Sequence, residues 1–351
     1  MRIGERMHKI RLSDFKINIG GMEKGVLNNI CDVEGVKVGH CTIDTADSKT
    51  GCTVLFPCED NPFVRKLHAA SSVLNGFGKT AGLIQVDELG QLESPIVLTN
   101  TLNVGLMYDA LVDYMIRRCK GESVEIKSFN PVVAECNDSF LNDIQSRVVR
   151  AEHLEQAISN AKKAFEEGDV GAGKGMSCYQ LKGGIGSASR LFEIGDERFT
   201  LGVMVLSNHG LLTDLMIDGE KTGERIASTI AQSEQLSDDR GSVIVILATD
   251  LPLSSRQLKR VCFRASNGLA RTGSKTGHGS GEIVIGFSTA NRIDRGGSFH
   301  SFRFLNENEI NLPFRAAVEA TEEAVLSSMI NAATVQGHEN NIRRSIREYL
   351  K

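Results

Sequence analysis

No stretch of the chain approaches the ~18 consecutive apolar residues that a membrane span needs, so no integral membrane role is expected. Nor is there an excess of positive charge. Forty Lys and Arg against 44 Asp and Glu leave a formal net charge of -4, which offers nucleic acid or anionic lipid no electrostatic footprint. The eight cysteines include no CxxC pair, and no histidine stands at ligand spacing from a cysteine pair. Cys52 and Cys58 are close in sequence but lack a matching second half, so no metal site is expected. The eight are read as free, mostly buried thiols of a reducing cytoplasm. Residues 1–15 are charged and lack the apolar core of a secretory signal, which again points to the cytoplasm. Internal repeats and low-complexity segments are absent. Proline is scarce, at six residues against 35 glycines, and the clustered glycines point to tight turns and close backbone approaches. With 41% hydrophobic residues, that glycine content does not signal disorder.

What is present alternates between short β-rich runs and amphipathic helical patterns over 351 residues. Strands are predicted at 36–41, 52–56, 96–99, 200–206, 243–248 and 282–288. Several are continuous Val/Ile/Leu runs, as a strand buried on both faces requires. Helices are predicted at 104–119, 151–167, 254–271, 313–334 and 339–349. Ser254 is a candidate N-cap for the third, which then aligns Leu258, Cys262, Ala265 and Leu269 on one face. Gly168 stands where the second helix should stop. The alternation implies one layered α/β domain over residues 1–351, with helices covering sheet. A polar, acidic linker, residues 232–241 (QSEQLSDDRG), runs directly into the apolar SVIVILATD.

Four segments carry groups capable of chemistry. Residues 168–174 read GDVGAGK, the spacing of a phosphate-binding P-loop up to its lysine. Gly175 follows in place of the Ser or Thr that holds magnesium, and a helical pattern precedes the loop where a P-loop needs a strand. In Gly279-Ser280-Gly281-Glu282, Ser280 and Glu282 lie two apart at a strand start and project together, opposite Ile283 and Ile285. Such a pair either orients a nucleophile and relays its proton or simply meets solvent. Asn208, at the end of an apolar run, is either a turn residue or an amide donor to a developing oxyanion. His209 beside it is a candidate base for a serine, but no neighbouring carboxylate orients it. Glu135, leaving the apolar run 131–134, is suited to a cationic substrate group and equally to an ordinary surface position.

Nine segments occur in order between residues 32 and 291: DVEGVKVGHCTI, GCTVLFP, GFGKTAGLIQVDELG, PIVLTNTLNVG, VVAECND, GAGKGMSCYQLKGGIGSASR, LSNHG, GSVIVILATDLPL and GSGEIVIGFSTAN. Together they resemble the L-aminopeptidase/D-esterase family, which includes the β-peptidyl aminopeptidases, and the likeness extends over roughly residues 30 to 340. The resemblance implies an α-β-β-α sandwich like that of N-terminal nucleophile hydrolases. It also implies self-cleavage between Gly241 and Ser242, giving an α segment 1–241 and a β segment 242–351. Ser242 is then the nucleophile, Ser280 and Glu282 its helpers, Asn208 the oxyanion donor and Glu135 the contact to the substrate's amino group. Many members carry a tyrosine near that acidic residue, where this chain has Cys136-Asn137.

The expectation is therefore a serine aminopeptidase that forms an acyl-enzyme on Ser242 and acts on short peptides, amino-acid amides or esters. It needs no cofactor and, by resemblance, assembles as a homo-oligomer, a tetramer of αβ units. Cleavage would free an α-amine on Ser242 with an ordinary pKa of about 7.7–8.0, able to serve as base near neutral pH. Two rival readings are an acyltransferase on the self-cleaving scaffold of the ornithine acetyltransferases, which cut before threonine, and a non-catalytic nucleotide-binding protein.

Overall fold

Which residues occupy each strand is decided by what lies on both of its faces. The structure, a computed structural model, describes residues 9–230 and 241–350; residues 232–240 of the expected linker lie outside the described residues. Strands β1 (Lys37–Asp44) and β2 (Lys49–Phe56) form a hairpin, followed by the long β3 (Arg65–Gly76). After α1 (Leu83–Leu89) come β4 (Gln91–Leu92) and β5 (Ile96–Asn100), then α2 (Val104–Gly121), β6 (Val132–Cys136) and α3 (Ala151–Ser159). A short hairpin, β7 (Ser177–Cys178) and β8 (Leu181–Lys182), leads into β9 (Gly184–Ile194) and β10 (Glu197–Asn208). Helix α4 (Thr222–Ala227), β11 (Ser242–Thr249), α5 (Ser255–Phe263), α6 (Ala265–Arg271) and β12 (Gly281–Asp294) follow. Helix α7 (Asn311–Ile330) and a small hairpin of β13 (Val335–Gln336) and β14 (Ile342–Arg343) complete the chain.

One sheet has the order β1-β2-β5-β6 and the other β4-β3-β12-β11-β10-β9. Pairing is antiparallel except for β5 with β6 and β11 with β12. Helices α2 and α3 cover the first sheet; α5 and α7 cover the second, and α6 packs on α7. The result is four layers, α-β-β-α, with three apolar cores between them. Strand β11 shows why. Val243, Val245 and Leu247 enter the core under α5–α7, whereas Ile244, Ile246 and Ala248 enter the core between the sheets. All eight residues of β11 are buried. A period of two with apolar residues at every position is what a strand covered on both faces needs.

Five of the six predicted strands lie within observed ones and the first begins one residue before β1, but β3, β6, β9 and the two-residue strands were not foreseen. Strand β9 (GIGSASRLFEI) is rich in small residues because α7 lies against it. A Cβ at Gly186 would stand 2.0 Å from the carbonyl oxygen of Ala324. Three helix expectations are corrected. The helix expected over 151–167 ends at Ser159, and residue 162 pairs with Val38 instead. Gly168 therefore stops no helix; it adopts φ +89° and packs on the Asn331 carbonyl. The helix expected over 254–271 is divided at Arg264, although Ser254 caps it and Leu258, Cys262, Ala265 and Leu269 are all buried. No α-helix forms over 339–349: Glu339 and Asn340 take left-handed φ of 55° and 61°, and β14 pairs back on β13. All eight cysteines are free and buried. No described helix is long and apolar enough to cross a membrane.

Candidate active site

The ends of three adjacent strands bring the expected site residues together. Ser242, the first residue of β11, lies directly across from Asn208, the last residue of β10, and is in register with Gly281, the first residue of β12. Ser242 is 5% exposed. Its Oγ donates to the carbonyl oxygen of the preceding Gly241 at 2.7 Å and accepts from Gly281 N at 3.3 Å. Gly281 N also lies 3.2 Å from the Gly241 carbonyl oxygen. The serine hydroxyl therefore sits against its own preceding carbonyl, whose oxygen already faces a backbone N–H. Glycine at 241 is sterically required, since a Cβ there would stand 2.2 Å from the Asn208 carbonyl oxygen.

Asn208 is held from both sides of its amide. Its Oδ1 accepts from Ser177 N at 2.8 Å and its Nδ2 donates to Asn137 O at 2.9 Å, leaving a second Nδ2 hydrogen. Ser177 is itself placed by the β7–β8 turn, where Tyr179 and Gln180 both take left-handed φ, 50° and 59°. The buried Lys182 ammonium straps that turn down by donating to the carbonyls of Gly173, Met176 and Gly183 at 3.0, 2.9 and 2.7 Å. Burial pushes the Lys182 pKa down to about 7. Cys136 is fully buried with its Sγ 3.5 Å from Leu206 O, and Asn137 supplies the carbonyl that orients Asn208.

Ser280 and Glu282 are each 1% exposed. Ser280 Oγ donates to Glu282 Oε1 at 3.3 Å, and Ser274 Oγ and Thr276 Oγ1 donate to Oε1 and Oε2 at 3.2 and 2.6 Å. Glu282 lies on the face of Val284, toward α5–α7, and Ile283 and Ile285 face the other sheet. Both described hydrogen bonds of Ser242 Oγ are to backbone, and no described hydrogen bond joins it to the Ser280–Glu282 pair at the start of the adjacent strand.

Glu135, on β6 of the facing sheet, is 2% exposed. Its Oε1 accepts from Lys79 N at 2.9 Å and its Oε2 from Thr101 Oγ1. Among the described residues no cation pairs with it. Gly78 links the two sides: a Cβ there would lie 3.7 Å from Glu135 Oε1 and 3.8 Å from Gly281 Cα. A buried carboxylate with unfilled acceptor capacity, one residue from the nucleophile's neighbour, suits an ammonium group.

His209 is not placed to be a base. It is 3% exposed, Nδ1 lies 4.0 Å from Cys178 Sγ, Nε2 has no hydrogen-bond partner among the described residues, and its ring meets Tyr179 edge-on. Burial lowers its pKa to about 4. The P-loop-like segment is also spoken for. Lys174 Nζ pairs with Asp44 at 2.8 Å and Asp169 at 3.0 Å, and Gly171, Ala172 and Gly173 are buried. A Cβ at Gly175 would stand 2.1 Å from Lys49 O, so these glycines serve backbone packing, not a phosphate cradle. Among the described residues no cluster of His, Cys, Asp or Glu is arranged to hold a metal ion.

The sequence reading missed Ser274, Thr276, Thr101 and the backbone N–H groups of Gly281 and Lys79. A signal existed for the first two: SKTGHGS places three hydroxyls in the seven residues just before Gly281-Glu282. Backbone donors carry no side-chain signature.

Known proteins resemble the chain over nearly its whole length. The model of peptidase family S58 matches residues 28–343. The β-peptidyl aminopeptidase BapA of Sphingosinicella xenopeptidilytica is 36% identical over 338 residues, covering 90% of this chain and 84% of that protein. The crystal structure of the PH0078 protein from Pyrococcus horikoshii OT3 superposes with a TM-score of 0.91 at 43% identity, covering 97% of this chain and 98% of that one. The L-aminopeptidase D-Ala-esterase/amidase of Ochrobactrum anthropi, described as a prototype serine aminopeptidase and a variant of the Ntn hydrolase fold, superposes with a TM-score of 0.89. It is 33% identical, and the match covers 97% of this chain and 99% of that one. With the family model matched over nearly the whole chain and the four-layer fold in common, the chain belongs to peptidase family S58 and is a serine peptidase.

Proposed function

We propose that the chain is an aminopeptidase that cuts itself between Gly241 and Ser242 and then uses Ser242 as its N-terminal nucleophile. The observation that carries this reading is the Ser242 hydroxyl held 2.7 Å from the oxygen of its own preceding carbonyl. Attack of Oγ on the Gly241 carbonyl carbon breaks the C–N bond, passes the hydroxyl proton to the departing nitrogen to free the α-amine, and leaves an ester on Ser242. Water then hydrolyses that ester, releasing the α segment with a new carboxylate and restoring the Ser242 hydroxyl. The Gly281 N–H faces the oxygen that becomes negative in this step.

In the mature enzyme the α-amine takes the Oγ proton as the hydroxyl attacks the substrate carbonyl, with Ser280 and Glu282 orienting it. Asn208 Nδ2 donates its second hydrogen to the developing oxyanion, an interaction worth about 3–4 kcal/mol of barrier. The proton passes to the departing amine, and water hydrolyses the acyl-enzyme. Glu135 receives the substrate's free ammonium group, which limits cleavage to N-terminal residues of short peptides, amides or esters. The names of the relatives extend the candidate substrates to β-peptides and D-alanyl esters. We infer a homo-oligomer, a tetramer of αβ units, from the family resemblance alone. The eight free thiols fit a cytoplasmic location.

Mass spectrometry of purified protein tests the central step. The expected products are two fragments, about two-thirds and one-third of the 38.2 kDa chain, the smaller beginning at Ser242. Active protein that remains full length would overturn the mechanism. Release of p-nitroaniline from an amino-acid p-nitroanilide, without acetyl transfer to ornithine, separates the aminopeptidase from the acyltransferase.

A further inference from the structure

The segment from Thr272 to Ser280 joins α6 to β12 and wraps around Glu282. It is pinned at both ends. Thr272 is fully buried, its Oγ1 2.8 Å from the Tyr179 hydroxyl. At Gly273, φ is +99° and a Cβ would stand 1.8 Å from Asp214 O, so the chain passes hard against that carbonyl. Lys275 pairs with Asp214 at 2.7 Å. At the other end, Asn75 Nδ2 donates to the carbonyls of Gly277 and His278, both at 3.1 Å, and to that of Ser280.

Between these anchors stands an anomaly. Thr276 takes φ +53°, a left-handed conformation that a β-branched residue adopts only under constraint. Glycine would occupy the position without strain. What threonine adds is a hydroxyl, and that hydroxyl makes the shortest described bond to Glu282, 2.6 Å to Oε2. Strain of this kind persists where the surroundings over-determine it, and it gathers at functional sites. Ser274 completes the set: its Oγ accepts from Thr276 N at 3.4 Å and donates to Glu282 Oε1 at 3.2 Å.

We propose that Thr276 is a positioning residue for Glu282, its strained backbone aiming the hydroxyl at Oε2 so that Oε1 is held toward the Ser280 hydroxyl. The carboxylate is then fixed along one edge and the Ser280 hydroxyl is oriented toward the N-terminus of β11. The described side-chain hydrogen bond of Thr276 goes to Glu282, not to Ser242, so Thr276 acts through Glu282. This rests on the reading of Ser242 as the N-terminal nucleophile.

Three substitutions separate positioning from packing. Thr276→Val keeps the branch and the strain but removes the hydroxyl. Thr276→Ser keeps the hydroxyl. Thr276→Gly relieves the strain and removes the hydroxyl. With an amino-acid p-nitroanilide, the valine variant should lose about ten- to a hundredfold in kcat with KM within twofold, and its self-cleavage should slow in parallel. Serine should restore kcat to within about threefold of the wild type. Glycine should unfold at a temperature equal to or above the wild type while losing as much kcat as valine. Equal activity in the valine variant and the wild type would overturn the proposal. So would equal losses in the valine and serine variants, or losses of kcat that follow thermal stability. A wild type with neither hydrolysis nor a fragment starting at Ser242 would instead sink the nucleophile reading, and this inference with it.

Discussion

Arg190 and Glu282 are both buried charged side chains on the six-stranded sheet, and they are surrounded by different chemistry. Arg190, on β9, is fully buried and meets Glu319 Oε2 at 3.2 Å and Glu323 Oε2 at 2.7 Å on α7. It also donates to the carbonyls of Ile19, Ser189 and Glu319. Its neighbours are formal opposite charges and fixed carbonyls, and the network ties the segment around Ile19 to sheet and helix. Around Glu282, by contrast, Ser274, Thr276 and Ser280 supply hydroxyls from one connecting segment. A hydroxyl can donate and accept and can rotate, so such a network can reorganise as protons move. Opposite charges locked together cannot. The first arrangement suits architecture and the second suits chemistry.

Several measurements would break or sharpen that contrast. The largest effect should come from Ser242→Ala. This variant should remain one chain near 38.2 kDa and lose at least about 10³-fold in activity, with thermal unfolding little changed. A second fragment in its electrophoresis would show that another group performs the cut. Next is Arg190→Met, which leaves Glu319 and Glu323 buried without their partner. Urea unfolding should show a loss of about 3–5 kcal/mol, while kcat/KM per folded molecule stays within about twofold. Lost activity at unchanged stability would erase the distinction between the two networks.

His209 gives a third test, through pH. Its pKa falls from 6.5 unfolded to about 4 folded because the neutral ring is buried. The unfolded chain therefore binds the proton first, and stability is lost as pH falls from about 6.5 toward 4. At about 1.4 kcal/mol per unit, the loss reaches at most about 3.5 kcal/mol. His209→Phe should remove that part of the acid slope and leave the pH profile of activity unchanged; a changed profile would return His209 to the reaction. Glu135→Gln should raise KM about ten- to a hundredfold for substrates with a free amino group, or about 1.4–2.7 kcal/mol. An unchanged KM would remove Glu135 from amine recognition. The smallest effect is expected for Lys174→Met, about 1 kcal/mol of stability with no change in activity, because its two ion pairs are peripheral to the site.

Much of the layered fold was legible because β10, β11 and β12 carry apolar residues at both phases of a two-residue period. Strands β3 and β9 were not legible, since their serines, alanines and glycines are chosen to admit a helix, not to advertise a strand. The expected terminal helix failed for a related reason: the Glu339-Asn340 turn and the β13–β14 pairing are tertiary features that outweighed a helical period. At the site, Ser242, Asn208, Ser280 and Glu282 were picked out in sequence, each with an ordinary alternative reading. Their juxtaposition came from strand order and register, which no local pattern contains.

By itself, the amino-acid sequence determined that the chain is layered α/β, that β11 is buried on both faces, and that a Gly-Ser pair stands at its start. Its ordered motifs also determined the family. Tertiary structure alone decided that Ser242 meets its own preceding carbonyl, that Lys174 is neutralised by Asp44 and Asp169, and that Thr276 reaches Glu282 through a strained backbone. The physical reason is range. Periodicity and composition act between residues a few positions apart, whereas hydrogen-bond direction, burial and strain at this site depend on contacts between strands and segments far apart in the chain.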